Sequence, residues 1–443
     1  MALTSLLASI GCLEIFIAIF FFLVFWSLVD NKHGLPRNFL IFGIFPSLLM
    51  HIHRIHERST EVLSRTGGTF LLKGLWSTNM DILGTVDPAN VHYIMSANFT
   101  NFPKGHELKK IFDAIGDGIF NSDLDLWKNQ RKLAREMIIH QRFHKCWVKT
   151  NVDKVENGLI PVLEFVAKEG RVLDLQDVFK RLTFDTTCML LTGFDPDCLS
   201  LELAGVPFLK AMDDAKDVCF RLHLLPESVW KLQQWLGFGP EKKLSKAEEV
   251  LDQVIGKYIS MKCDELSNAT KSEEDEEGYD LLTSYMVNDA ETKTGLKFDD
   301  KFLRDTILNF MFAGHDTVAS GLGSSVAHPK IEKKIREELK AMVLLGEGRM
   351  ESIWGYDASE FKPEIWISDR GTVKHGPAYK FFSFNAGPRT CLAKEVAFTQ
   401  MKIVASTIIH NYQIEMVEGH TVCPNISAML YMKHSFKVRI KRR

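Results

Sequence analysis

The 443-residue chain has no Cys-x-x-Cys pair, no excess of basic charge, no internal repeat and no low-complexity tract. Its eight cysteines (Cys12, Cys146, Cys188, Cys198, Cys219, Cys263, Cys391 and Cys423) are scattered, which argues against a zinc ribbon or a disulfide framework and for a reducing compartment. The formal net charge of -2 gives no footing for a polyanion, so nucleic acid is not expected as a partner. In that setting the sequons at Asn98, Asn268 and Asn425 read as chance matches. Stretches of strand character are few and short, so the expected class is mainly α. A hydrophobic content of 46% with 25% charged residues is that of a globular chain able to bury a large core.

Long apolar runs are confined to the N-terminus. Leu6 to Val29 carries one acid, Glu14, and Ile15 to Trp26 has no polar residue. That span is long enough to cross a bilayer as one helix, and no small-residue cleavage site follows it. Lys32 and Arg37 come after it and no Lys or Arg comes before, which places the rest of the chain on the cytoplasmic side. Residues 1–30 are read as a membrane anchor, 31–50 as a Pro/Gly connector through Gly34-Leu35-Pro36 and Gly43-Ile44-Phe45-Pro46, and 51–443 as one globular body. His51, His53 and His56 lack a cysteine or carboxylate to complete a metal set and read as a surface helix face.

Thr69 to Gly74 and Met80 to Thr85 are expected to form a hairpin, and Asp87-Pro88 to open a helix. Asn101 to Asn121, rich in Gly, Phe and Asp, reads as a loop over a pocket. A helix from Leu126 to His140 sets Trp127 and Arg131 on one face, at i and i+4. Amphipathic segments follow at 151–168, 172–192, 200–234 and 245–265, and Glu273 to Glu277 is an acidic run between helices. Gly321-Leu322-Gly323 starts a dinucleotide fingerprint, but it follows a helix and lacks the third glycine.

Asp299 to Ser320 reads as a single long buried helix. Within it, Ala313-Gly314-His315-Asp316-Thr317 combines a mid-helix glycine, costing about 1 kcal/mol against alanine, with an acid that is expensive to bury unpaired. Ala313 and Gly314 would let a flat ligand approach the backbone, and Thr317 can open the helix by bonding a backbone carbonyl. The plainer alternative is a helix end capped by Gly314. Further on, Phe384-Asn385-Ala386-Gly387-Pro388-Arg389-Thr390-Cys391 precedes the helical run Lys394 to Val404. Cys391 thus precedes a helix N-terminus, where free N–H groups and the positive dipole end favour a thiolate.

The pattern Phe384-x-x-Gly387-x-Arg389-x-Cys391 resembles the haem-binding loop of the cytochrome P-450 family, with Ala393 where the family usually has Gly. Ala313-Gly314-x-Asp316-Thr317 resembles that family's oxygen-activating helix, and Trp127-x-x-x-Arg131 the pair that touches the haem propionates. The resemblance implies a helical body with small sheets and a haem b whose iron takes Cys391 as axial ligand. It also implies Arg389, Arg131 and Trp127 at the propionates, with Asp316 and Thr317 delivering protons. It further implies an NADPH-dependent reductase as electron donor and the endoplasmic reticulum membrane as location. In detail the chain is similar to plant enzymes that hydroxylate fatty acids and alkanes, which implies a long-chain apolar substrate.

The chain departs from that family in one region. Thr317 and Cys391 are separated by about half the usual stretch, and no glutamate between Glu332 and Glu364 has Arg three positions later. The Glu-x-x-Arg helix of the family and part of the sheet after it are missing near 341–347, and the arginine expected after Pro363-Glu364 is Ile365. Three readings follow: a membrane-anchored haem-thiolate monooxygenase, an inactive product of an internally deleted gene, and a tethered binder of apolar ligands.

Overall fold

The computed structural model describes Glu14, Ile17, Phe21, Phe22, Asp30 and residues 33–443, except 77, 79, 238, 269–279, 288–297, 327–349, 357, 359–367, 369, 371–375 and 428–430. Nearly all of the apolar run from Leu6 to Val29 falls outside that description, as do the acidic run at 273–277, the segment around 341–347 and Phe361 to Trp366. Among the described residues, no helix is long and apolar enough to cross a membrane.

The chain divides into two units. The first comprises the described residues up to Asn90 with those from 350 to 358. Here Pro46 lies at the start of helix α1 (Phe45–His51), so the connector ends earlier than residue 50. Helix α2 (Ile55–Arg65) follows, and then the expected hairpin of β1 (Thr69–Leu72) and β2 (Ile82–Thr85), antiparallel with Leu71 opposite Leu83.

The second unit holds the rest. Residues 101–121, expected to be loop, contain helix α3 (Gly105–Ile111) before the loop proper. Helices α4 (Leu124–Ile139), α5 (Gln141–Lys154) and α6 (Ile160–Glu169) follow. Strand β3 (Val172–Asp174) leads into helix α7 (Leu175–Thr192), which Asp174 caps by accepting from the amides of Gln176 and Asp177 and which Gly193 ends at φ +79°. The segment expected at 200–234 is broken at Pro226, whose ring cannot continue a helix ladder; α8 (Pro207–Leu224) stops before it. Helix α9 (Pro240–Asn268) then precedes α10 (Asp300–Gly314), α11 (Asp316–Val326) and α12 (Lys394–Asn411). Strands β4 (Tyr412–Met416) and β5 (Lys437–Arg442) complete an antiparallel sheet of order β3-β5-β4. Along β5, Val438 and Ile440 alternate into the core and face Leu173 and Ile414, the period of two that a half-buried strand requires.

Helix α7 is buried on nearly every side, packing against α5, α10 and α11. Val178, Phe179, Leu182 and Phe184 are almost wholly inaccessible. Apolar groups of that size each contribute about 1.5–3 kcal/mol on burial. This helix is the floor on which the junction between α10 and α11 comes to rest.

Candidate active site

The segment before Cys391 is held by its own backbone. A short 3-10 turn at Phe382–Phe384 and another at Gly387–Arg389 frame Asn385, whose φ is +60°. The Cys391 amide donates to the Phe384 carbonyl at 2.7 Å, and the Thr390 hydroxyl donates to the Gly387 carbonyl at 2.7 Å. Gly387 has φ +62° and lies so close to the Met95 carbonyl that a Cβ would collide with it, so no other residue fits there. Phe384 packs on Phe398 of α12 with ring centroids 5.1 Å apart, and Lys394 stands over the same ring. Trp147 of α5 donates its indole N–H to the Val396 carbonyl at 3.0 Å, fixing where α12 begins.

Three of the expected residues meet beside this loop. Arg131 donates to the Thr390 carbonyl at 2.5 Å, and its guanidinium lies 5.8 Å from the Trp127 ring centroid. Arg389 lies over the same indole at 4.5 Å and donates to the Asp123 carboxylate at 2.6 Å and to the Ser122 carbonyl. Burial lowers both guanidinium pKa values; Asp123 opposes the shift at Arg389, while Arg131 and Arg389 are pushed further down by neighbouring guanidiniums. Lys104 stands nearby with its Nζ on the Phe120 carbonyl, and desolvation followed by the charge of Arg389 pushes it down to about 8.

Asp123 and Lys104 were not legible as site residues. Asp123 sits at the N-cap of α4 and in sequence reads as a cap, yet it makes no capping bond and turns instead to Arg389 and to the amides of Lys104 and Gly105.

The Cys391 residue keeps exposed surface, yet the protein packed around its sulfur desolvates the thiol and raises its pKa on balance. The Ala393 amide and the charges of Arg131 and Lys394 pull the other way without prevailing. This corrects the expectation of a thiolate set by the helix end. Helix α12 begins three residues later, so its dipole reaches Cys391 mainly through one N–H.

The second pattern is also corrected in shape. The expected single helix is two, α10 and α11, parted at His315. Thr317 donates its hydroxyl to the Ala313 carbonyl at 2.6 Å, as expected of a helix-opening threonine, and that side chain is exposed. Gly314 does not leave room for a flat ligand. A Cβ there would press on Thr187 of α7, so this glycine serves helix–helix approach. Asp316 points away into the core, paired with Lys216 of α8 and 3.6 Å from Lys180 of α7. Both lysines also bind Asp213, whose pKa their charges hold at about 2 against its own desolvation. Burial pushes Lys216 down to about 8 against the pull of Asp213. His315 is buried edge-on to Phe184 and held well below its ordinary pKa by desolvation and then by the two lysines.

One other group of acids converges, Asp185, Asp195 and Asp197, but Lys154 occupies its centre with contacts of 2.8–3.3 Å, so the charge there is already met.

The family model for cytochrome P-450 matches residues 34–351 and 341–441, in two overlapping pieces. Among curated proteins, an alkane hydroxylase of Arabidopsis thaliana is 37% identical over 495 positions, covering 97% of this chain and 99% of that protein. Noroxomaritidine synthase 2 of Narcissus pseudonarcissus is 35% identical, covering 97% and 96%. Cytochrome P-450 86B1 of Arabidopsis thaliana is 33% identical, covering 99% and 91%. A crystal structure of a cytochrome P-450 superposes with a TM-score of 0.64 at 17% identity, covering 88% of this chain and 99% of that one, a likeness of fold. The cysteine loop, the paired arginines over one indole and the interrupted helix thus sit in a chain that belongs to the cytochrome P-450 monooxygenases.

Proposed function

We propose that this chain is a membrane-anchored haem-thiolate monooxygenase acting on long-chain aliphatic substrates. The observation that carries the reading is the meeting of Trp127, Arg131 and Arg389 beside Cys391, from parts of the chain some 260 positions apart. The residues present fit a haem b. Arg131, Arg389 and Lys104 are three desolvated cations with Asp123 as their near carboxylate, which leaves positive charge for two propionates. A haem bound there would supply dioxygen activation and the insertion of one oxygen atom into a C–H bond.

The chain's own residues have separate tasks. Cys391 would hold the haem iron through its sulfur, and its loop keeps that sulfur beside Arg131. Phe384 and Gly387 hold the loop in shape. Thr317, bonded to the Ala313 carbonyl at the helix opening, is placed to hold a proton where the helix faces outward. Asp316 reaches the same break from the core side and would hand protons on by leaving Lys216. The Leu6 to Val29 run supports an anchor in the endoplasmic reticulum membrane with the body facing the cytosol, and an NADPH-dependent reductase would be the electron source. The name of the alkane hydroxylase, 37% identical to this chain, supports an alkane as substrate, and the likeness of the sequence to plant fatty-acid hydroxylases extends that to long aliphatic chains.

A second reading rests on the missing segment. The alignment to the alkane hydroxylase spans 495 positions, more than the whole chain, so that relative has residues for which this chain has none. The family match breaks into pieces that overlap at 341–351, where the sequence lacks Glu-x-x-Arg. A chain damaged there would keep the helical body and hold haem poorly. A reduced carbon-monoxide difference spectrum of the full chain separates the two: a thiolate-type Soret band supports the enzyme, and failure to take up haem supports the deletion product.

A further inference from the structure

Asp123 stands where three parts of the chain meet, although its place in the sequence marks it only as the cap of α4. One carboxylate oxygen, Oδ1, accepts from the Arg389 guanidinium at 2.6 Å and from the Lys104 amide at 3.1 Å. The other, Oδ2, accepts from the Gly105 amide at 2.9 Å. Asp123 therefore joins the start of α4 to the start of α3 and to the cysteine loop, with its side chain only 13% exposed. Gly105 opens α3 at φ +76°, a left-handed value at which a side chain would be strained.

The same contacts fix the Arg389 guanidinium. Among the described residues its bonds leave from Nη2, one to Asp123 and one to the Ser122 carbonyl at 3.1 Å. A guanidinium carries five N–H donors, so those on Nη1 and Nε are left for a second acceptor. Two aromatic rings keep it in place: it lies 4.5 Å from the Trp127 centroid and 5.7 Å from that of Phe99, and these rings pack on one another at 5.4 Å. Arg131 likewise spends Nη2 on the Thr390 carbonyl. Lys104 belongs to the same group of charges: beyond its own desolvation, Arg389 pushes its pKa down and Asp123 pushes it up.

We propose that Asp123 is a positioning residue that clamps Arg389 to the start of α3 and so presents its remaining N–H groups, together with the Lys104 ammonium, to a haem propionate. The clamp stands on the hydrogen bonds alone; its consequence for haem rests on the monooxygenase reading. A charge-assisted bond shared with two backbone amides holds a long side chain in one place. An exposed pair such as Lys128–Asp125 on the same helix would not. The Asp123 carboxylate also sets a negative charge beside Arg389, and a negative charge there opposes the gain of an electron at the iron.

Hydrogen exchange resolved to single amides, on the full chain in detergent, tests the clamp without haem. Asp123→Ala is expected to speed exchange at Lys104 and Gly105 about tenfold, with helix α7 and strand β5 unchanged. Unchanged rates at both amides, or an equal rise at α7 and β5, would overturn the clamp. In the haem-loaded protein, transfer of haem to excess apomyoglobin is expected to be about tenfold faster in Asp123→Ala and near its original rate in Asp123→Glu. The midpoint potential of the iron is expected to move positive in Asp123→Asn and to stay in place in Asp123→Glu, a split that lost packing alone does not produce. Transfer in Asp123→Ala at the original rate, or one potential shared by the Asn and Glu variants, overturns the propionate role. A chain that takes up no haem overturns the monooxygenase reading and the propionate role with it, while the exchange result decides the clamp on its own.

Discussion

The cysteine loop and the helix break at His315 meet the same demand, a polar group held in one place, by opposite means. Around Cys391 the turn is closed mainly by local bonds, with Arg131 and the Met95 backbone bearing on it from elsewhere. Backbone bonds over eight residues, one glycine with positive φ and one proline fix the turn, and the cysteine keeps exposed surface. At the break the holding is remote: Asp316 relies on Lys180 and Lys216, which lie on two other helices, Lys216 buried and Lys180 partly so. A loop of the first kind tolerates change in its surroundings, whereas a network of the second kind fails when any one charge is removed, because the partner is left uncompensated in the core.

The sharpest break of that comparison is Cys391→Ala. It is expected to abolish the thiolate-type band of the reduced carbon-monoxide spectrum while leaving the urea midpoint of the protein nearly unchanged, since the side chain holds nothing else. Next, Lys216→Met is expected to lower stability by about 3–5 kcal/mol by chemical denaturation, and the double variant with Asp316→Asn to recover much of it. Loss that is no greater than at the exposed Cys391 would erase the contrast drawn between the two regions. Trp147→Phe, which removes one buried hydrogen bond to the Val396 carbonyl, is expected to cost about 1 kcal/mol.

The smallest effect is one of pH. In the haem-free protein, Lys104 has its folded pKa at about 8 against an ordinary 10.5, chiefly through desolvation. Between those values the unfolded chain binds the proton and the folded chain does not, so stability rises with pH across that window. Lys104→Met is expected to flatten that slope in denaturation curves taken from pH 8 to 10.5. An unaltered slope would show that another group carries it.

Reading from sequence succeeded where the cause was local. The hairpin at 69–85, the helix carrying Trp127 and Arg131, the helix start at Asp299 and the Cys391 turn all follow from spacing and from residues with restricted backbone freedom. It erred where tertiary contact chose between local options. Asp123 is an ordinary N-cap by position, but Arg389 draws its carboxylate away. Gly314 looks like clearance for a ligand, but Thr187 of α7 takes the space. The break at His315 follows the plainer alternative, a helix that ends at Gly314 with the next starting at Asp316; it coincides with a threonine bonded to a carbonyl and an aspartate pulled into the core.

The shape of the cysteine loop was therefore determined largely by the sequence itself, because its turn is closed by bonds among neighbours, whereas the state of its thiol was not. The tertiary structure alone decided which charges stand around it and which way Asp316 faces. Those choices depend on desolvation and on partners brought together from distant positions, and neither quantity exists until the helices pack.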